Sequence, residues 1–124
     1  MRWLLYGALT PAVGEALRAR EDQTLDPAGL GLPADAQPGE VLRAAHRAQV
    51  DILTNDATLA NAPFAETEGW AFGRSIVFLQ LAGGDVEQDD ALDRLFERYK
   101  RLTPGRLYTV TETRVKIRQL PARR

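Results

Sequence analysis

The chain has no cysteine, a single histidine and no apolar run that approaches the length of a membrane span. Without cysteine there is no disulfide, no thiol nucleophile and no thiolate metal site, a composition that fits a reducing cytoplasm. His46 alone cannot build a histidine-rich zinc site or the usual serine triad, so any metal here would be a hard cation held by oxygen ligands. A membrane-spanning helix needs about 18 or more apolar residues in succession. The N-terminal Trp3-Leu4-Leu5-Tyr6-Gly7-Ala8-Leu9 looks superficially like a secretion signal, but Pro11 and Glu15 interrupt it where a cleavage region should follow, and it reads as a buried first strand. Also missing are a phosphate-binding Gly-x-x-x-x-Gly-Lys loop, a dinucleotide fingerprint and a zinc-protease motif; Gly29-Leu30-Gly31 lacks the strand-to-helix context such a loop needs.

What is present suits one globular domain over residues 1–124: 44% hydrophobic and 27% charged residues supply a core without covalent staples. The net charge of -1 hides an asymmetry. Glu66 to Glu97 is mostly acidic, whereas Arg98 to Arg124 contains Glu112 as its only acid, so the C-terminal part forms a basic surface able to attract phosphates. Such runs are also common as plain solvated faces.

The pattern along the chain alternates strands and helices. After the first strand, Thr10-Pro11 supplies an N-cap and a first-turn proline for a helix with Val13, Ala16 and Leu17 at helical spacing. Gln23-Thr24-Leu25 predicts a short strand, followed by a long loop through Gly29, Gly31 and Pro33. Pro38-Gly39-Glu40 opens a second helix with Val41, Leu42, Ala45 and Ala48 buried, its glutamate facing the positive helix end. His46 near its other end suits a charged imidazole against the negative terminus. Val50 to Thr54 is a third strand, Asp56 opens a short helix through Ala60, and a polar loop from Pro63 to Phe72 leads to the apolar strand Ser75 to Leu81. Asp85 with Gln88 resembles a capping box before the longest helix, whose core face is Ala91, Leu92, Leu95, Phe96, Tyr99 and Leu102, with Asp90 set to pair with Arg94 and Glu97 with Arg101. Two strands, Leu107 to Thr111 and Arg114 to Arg118, close the chain. The expected fold is α/β, three-layer αβα, with a mainly parallel central sheet and C-terminal strands.

In such folds ligands bind outside the carboxyl ends of the strands, so Asp56, just beyond the third strand, is the first place to look for chemistry. A carboxylate there suits a divalent ion and equally suits a helix cap. Glu40 is open to the same pair of readings. Trp70 and Phe72 followed by Arg74 can stack a base and pair a phosphate on single-stranded RNA, or simply pack over the sheet edge.

The ordered set Leu4-Leu5-Tyr6-Gly7-Ala8-Leu9-Thr10-Pro11, Glu40-Val41-Leu42-Arg43-Ala44-Ala45, Thr54-Asn55-Asp56 and Arg114-Val115-Lys116-Ile117-Arg118 resembles the PIN-like domain family, small bacterial proteins related to PIN ribonucleases and toxin nucleases. The resemblance spans nearly the whole chain and implies a Mg²⁺- or Mn²⁺-dependent ribonuclease ancestry, with Asp56 and Glu40 as matching catalytic and metal-binding acids. It implies RNA as a partner, with Arg74, Arg114, Lys116 and Arg118 as contacts, and beside it an antitoxin-like protein or a second copy of the chain. The departures are specific: the family's first-strand aspartate is Tyr6 here, and a helix-opening aspartate is Pro38. Asp35, Glu66 and Glu68 are unaligned substitutes. Phosphodiester hydrolysis with a divalent ion calls for several carboxylates together, and a phenol, with one oxygen and a reference pKa of about 10, replaces one poorly. The sequence thus predicts an impaired RNA-cleaving site, or a binding module without catalysis.

Overall fold

Alternation along the first strand sends Trp3 and Leu5 to one side and Leu4 and Tyr6 to the other, and two apolar layers grow from that parity in the computed structural model. The structure describes residues 1–65 and 72–121. Among these the chain forms six strands, β1 (Arg2–Tyr6), β2 (Gln23–Leu25), β3 (Asp51–Thr54), β4 (Ile76–Leu79), β5 (Arg106–Val110) and β6 (Val115–Gln119). The helices are α1 (Pro11–Ala19), α2 (Pro38–Ala48), α3 (Ala57–Ala65) and α4 (Asp85–Arg98). One sheet contains all six strands in the order β2-β1-β3-β4-β5-β6, parallel except for the antiparallel pair β5 and β6. The fold is α/β with a mostly parallel sheet between helical layers. Among the described residues no helix is long and apolar enough to cross a membrane.

The layers follow from strand register. On one face Trp3, Leu53, Val77, Leu79, Tyr108 and Val110 pack against Val13 and Leu17 of α1 and Ala91, Leu92, Leu95 and Phe96 of α4. On the other, Leu4, Ile52, Ile76, Phe78 and Leu107 meet Val41, Leu42 and Ala45 of α2 and Leu59 and Ala60 of α3. Strands β3 and β4 are buried at every position, as central strands covered on both faces must be. Each fully buried Leu, Ile or Val contributes about 1.5–3 kcal/mol. Trp3 is wholly buried, and its indole N–H donates to Asp22 Oδ2 at 3.0 Å, which satisfies the one polar atom it carries inward.

Local chemistry differs from the sequence expectation at several ends. The long loop after β2 contains a 3-10 turn, Pro27–Leu30, capped by Asp26, whose Oδ1 accepts from the Gly29 N–H at 2.8 Å. Helix α3 runs through Pro63 to Ala65 instead of stopping at Ala60, although the proline ring removes the bond its N–H would make to the Leu59 carbonyl. Gly84 rather than Asp85 precedes α4, so no N-cap side chain is present, and Glu87 rather than Gln88 reaches back, its Oε2 accepting from the Gly84 N–H at 3.0 Å. Helix α4 ends at Arg98, with Tyr99 at its C-cap and Leu102 buried beyond it. Arg94 donates to the carbonyl of Thr111 rather than pairing with Asp90.

Candidate functional site

Helix α1 leaves β1 toward one face of the sheet and α3 leaves β3 toward the other, so the carboxyl ends of these adjacent strands mark the crevice where an α/β sheet binds its ligands. Tyr6 is in register with Thr54 at that edge. Beyond them the side chain of Asn55 grips the backbone of Ala8 twice, Oδ1 accepting from its N–H at 2.9 Å and Nδ2 donating to its carbonyl at 3.0 Å. Gly7 makes this approach feasible. Its φ of +104° suits glycine alone, and a Cβ there would lie 2.4 Å from Asn55 Oδ1. At the mouth of the sheet the loops after β1 and β3 are therefore joined by an amide clamp.

Asp56 stands at this edge, half-buried, with Oδ1 accepting from the Leu59 N–H at 3.1 Å, while its own N–H donates to Thr54 Oγ1 at 2.9 Å. That is the geometry of a helix N-cap. Glu40 lies exposed in the first turn of α2 and folds back on its own helix start, Oε1 accepting from the Gln37 N–H at 3.1 Å. Asp35 is exposed in the preceding loop. Tyr6 is half-buried and packs with the layer formed by α2 and α3. Among the described residues, the one set of three acids whose ligand atoms come within 4.8 Å of one another is Asp89, Asp90 and Asp93, solvent-exposed on α4. Glu40, Asp56 and Asp35 join no such set, and Glu66 and Glu68 lie outside the described residues. Each matching acid has one oxygen committed to a helix start, and among the described residues no third carboxylate joins them in a set.

The basic residues fall in different places. Arg74 precedes β4, at the amino edge of the sheet, and its Nη2 donates to Asp51 Oδ2 at 3.1 Å. Asp51 is 1% exposed and also accepts from the Ser75 N–H at 2.9 Å, so the guanidinium is committed to a buried carboxylate. Phe72 is buried beneath α2 rather than presented to solvent, and Trp70 lies outside the described residues. Lys116 and Arg118 are exposed on β6, the outer strand, and the Arg118 guanidinium sits 3.7 Å from the centre of the Phe64 ring. Arg114 is exposed in the turn that leads into β6. Arg123 and Arg124 lie outside the described residues. His46 Nδ1 accepts from the Gly73 N–H at 3.0 Å.

Three polar residues escaped the sequence reading. Asp51, a carboxylate within the run Val50 to Thr54, is the buried anchor between β3 and β4. Gln88, also buried, accepts from the N–H and the hydroxyl of Thr10 at 2.9 and 3.2 Å, tying the start of α1 to α4. Glu112 in the β5–β6 turn accepts from the Ala82 N–H at 2.8 Å, and this bond, its own backbone N–H and the charge of Arg94 hold its carboxyl below the usual range. A polar residue at an apolar period was the signal available for Asp51. No local pattern reveals the other two, whose partners are 78 and 30 residues away.

No family model, curated protein or solved structure matches the chain.

Proposed function

We propose that the chain is a PIN-like domain of ribonuclease descent whose divalent-metal-dependent RNA-cleaving site is impaired. The observation that carries this reading is the commitment of the acids at the carboxyl edge to helix starts: Asp56 caps α3, Glu40 folds back on the start of α2, and a phenol stands at the end of β1 where the resemblance puts the family's first aspartate. Hydrolysis aided by Mg²⁺ or Mn²⁺ requires carboxylates that fix the ion and orient water together, and the described residues at this edge supply no such group. The chemistry left to the mouth is therefore contact rather than cleavage. A cytoplasmic location accords with the lack of cysteine.

The test is cleavage of single-stranded RNA by the purified chain with Mn²⁺. Little turnover is expected from the wild type and more from Tyr6→Asp, which returns an acid to the end of β1. Strong wild-type cleavage abolished by Asp56→Ala overturns the proposal in favour of an intact enzyme.

The exposed row of Lys116 and Arg118 on the outer strand favours a second reading, in which the domain holds RNA without cutting it or meets an antitoxin-like protein or a second copy of itself. RNA binding without turnover, lost when Arg114, Lys116 and Arg118 are neutralised together, is the outcome that distinguishes this module.

A further inference from the structure

A hollow of about 350 Å³ lies between α4 and the β5–β6 turn, lined by Arg94, Glu97, Arg98, Thr113, Arg114 and Val115. Three arginines and one glutamate line it, a local excess of positive charge in a chain whose net charge is -1. Like charges gathered around one space repel unless a counter-charge enters it. The local supply is small. Among the described residues neither Arg98 nor Arg114 forms an ion pair. Glu112, whose carboxylate is near enough to feel Arg94, is already engaged by the Ala82 N–H.

Arg94 adds a second observation. One terminal nitrogen donates to the Thr111 carbonyl, which fixes the side chain against the turn, while its Nε is buried without a partner. Held in this way, Arg94 keeps its place in the wall of the hollow. The turn itself is rigid: the Thr111 N–H donates to the Arg114 carbonyl at 2.9 Å, and the Arg114 N–H to Thr111 Oγ1 at 3.2 Å. Thr113 is left with a hydroxyl that no described group engages, at the rim of the same space. Arginine forks match the oxygens of a phosphate better than any other side chain, and a free hydroxyl supplies one more donor.

We infer that Arg94, Arg98, Arg114 and Thr113 form a phosphate-binding site between α4 and the β5–β6 turn. The volume lies at the lower end of the range for small-molecule pockets, enough for a phosphate group and part of what it is attached to. The phosphate can belong to a single-stranded RNA backbone or to a free small phosphate; the donors recognise the same oxygens in both. The site stands apart from the clamped mouth, with β4 and β5 between it and β3, so it does not depend on nuclease descent.

Titration of the ¹⁵N-labelled chain with inorganic phosphate, and separately with a single-stranded oligouridylate, reads the site directly by amide shifts, without reference to cleavage. At least one probe is expected to move the amides of Arg98, Thr113 and Arg114 saturably. The Arg98→Gln/Arg114→Gln double variant, both positions being exposed, is expected to bind that probe at least tenfold more weakly with its thermal melt unchanged. Arg47→Gln, exposed on α2 and absent from the lining, is expected to keep the affinity for that probe within twofold. If the oligonucleotide is the ligand, the double variant lowers the slope of log affinity against log salt by about 1.4, the value for two lost contacts to a single strand. If phosphate alone moves these amides, the source is a free small phosphate, and the site stands. Absence of saturable shifts there with either probe, or unchanged affinity in the double variant, overturns the inference.

Discussion

Replacing Gly7 by alanine tests whether the Asn55 amide holds the loops after β1 and β3 together. At the observed φ of +104° an L-residue carries backbone strain of about 1–2 kcal/mol. The added methyl would also lie 2.4 Å from Asn55 Oδ1, a distance that cannot persist while the amide bonds Ala8. The two bonds of the clamp are together worth about 2 kcal/mol net, taking roughly 1 kcal/mol for each. Gly7→Ala is therefore expected to cost about 3–4 kcal/mol, combining strain with loss of the clamp. Asn55→Ala is expected to cost about 2 kcal/mol, losing the clamp alone. The double variant should be no less stable than Gly7→Ala, because the clamp can be lost only once; this corresponds to a coupling of about 2 kcal/mol, within the range for residues in contact. Urea unfolding followed by circular dichroism gives all four stabilities, provided the slopes agree. A double variant destabilised by about 5–6 kcal/mol, the value for independent effects, refutes the reasoning.

Asp56→Ala is expected to lower stability by about 1 kcal/mol through loss of the α3 cap, and Asp56→Ser to restore most of it; a serine variant as unstable as alanine is incompatible with a capping role. Asp51→Ala should cost about 3 kcal/mol, at the low end for a broken buried pair because Arg74 is partly solvated, and a urea midpoint within error of wild type would contradict this. Gln88→Leu leaves the Thr10 N–H without its acceptor and should cost about 1–3 kcal/mol, read by the same unfolding curves; an undiminished stability would show that water replaces the amide. Glu112, with its folded pKa depressed, contributes stability that is present above its unfolded pKa and disappears as pH falls through the folded one. Its NMR titration should therefore have a midpoint below that of an unstructured glutamate, and Glu112→Gln should flatten the acid limb of the stability curve; a midpoint at the model-peptide value would remove the claim.

Element type was legible wherever side-chain period alone decides it. The alternation in β1, the unbroken apolar strands β3 and β4, and the three- and four-residue spacing of Leu92, Leu95 and Phe96 in α4 each encode burial locally. Ends were less legible because several bonds compete for them. Thr10 occupies the expected N-cap of α1 yet makes no side-chain cap bond; its donors go to Gln88 on a helix 78 residues away. The polar loop expected from Pro63 begins instead as the last part of α3, which runs on to Ala65. At the candidate site, sequence placed Asp56 correctly at the carboxyl edge but left open whether it binds a metal or caps a helix, since both use the same oxygens. The register that sets Tyr6 beside Thr54, and the Asn55 clamp that follows, arise from pairing between segments 47 residues apart.

The Asp51–Arg74 pair has a consequence for how such a molecule changes over generations. The one buried carboxylate among the described residues is a keystone at the amino rim, where it fastens the start of β3 to the entry of β4. Foundation and aperture thus sit at opposite rims. Substitutions around the aperture can therefore alter what it touches while the keystone preserves the architecture.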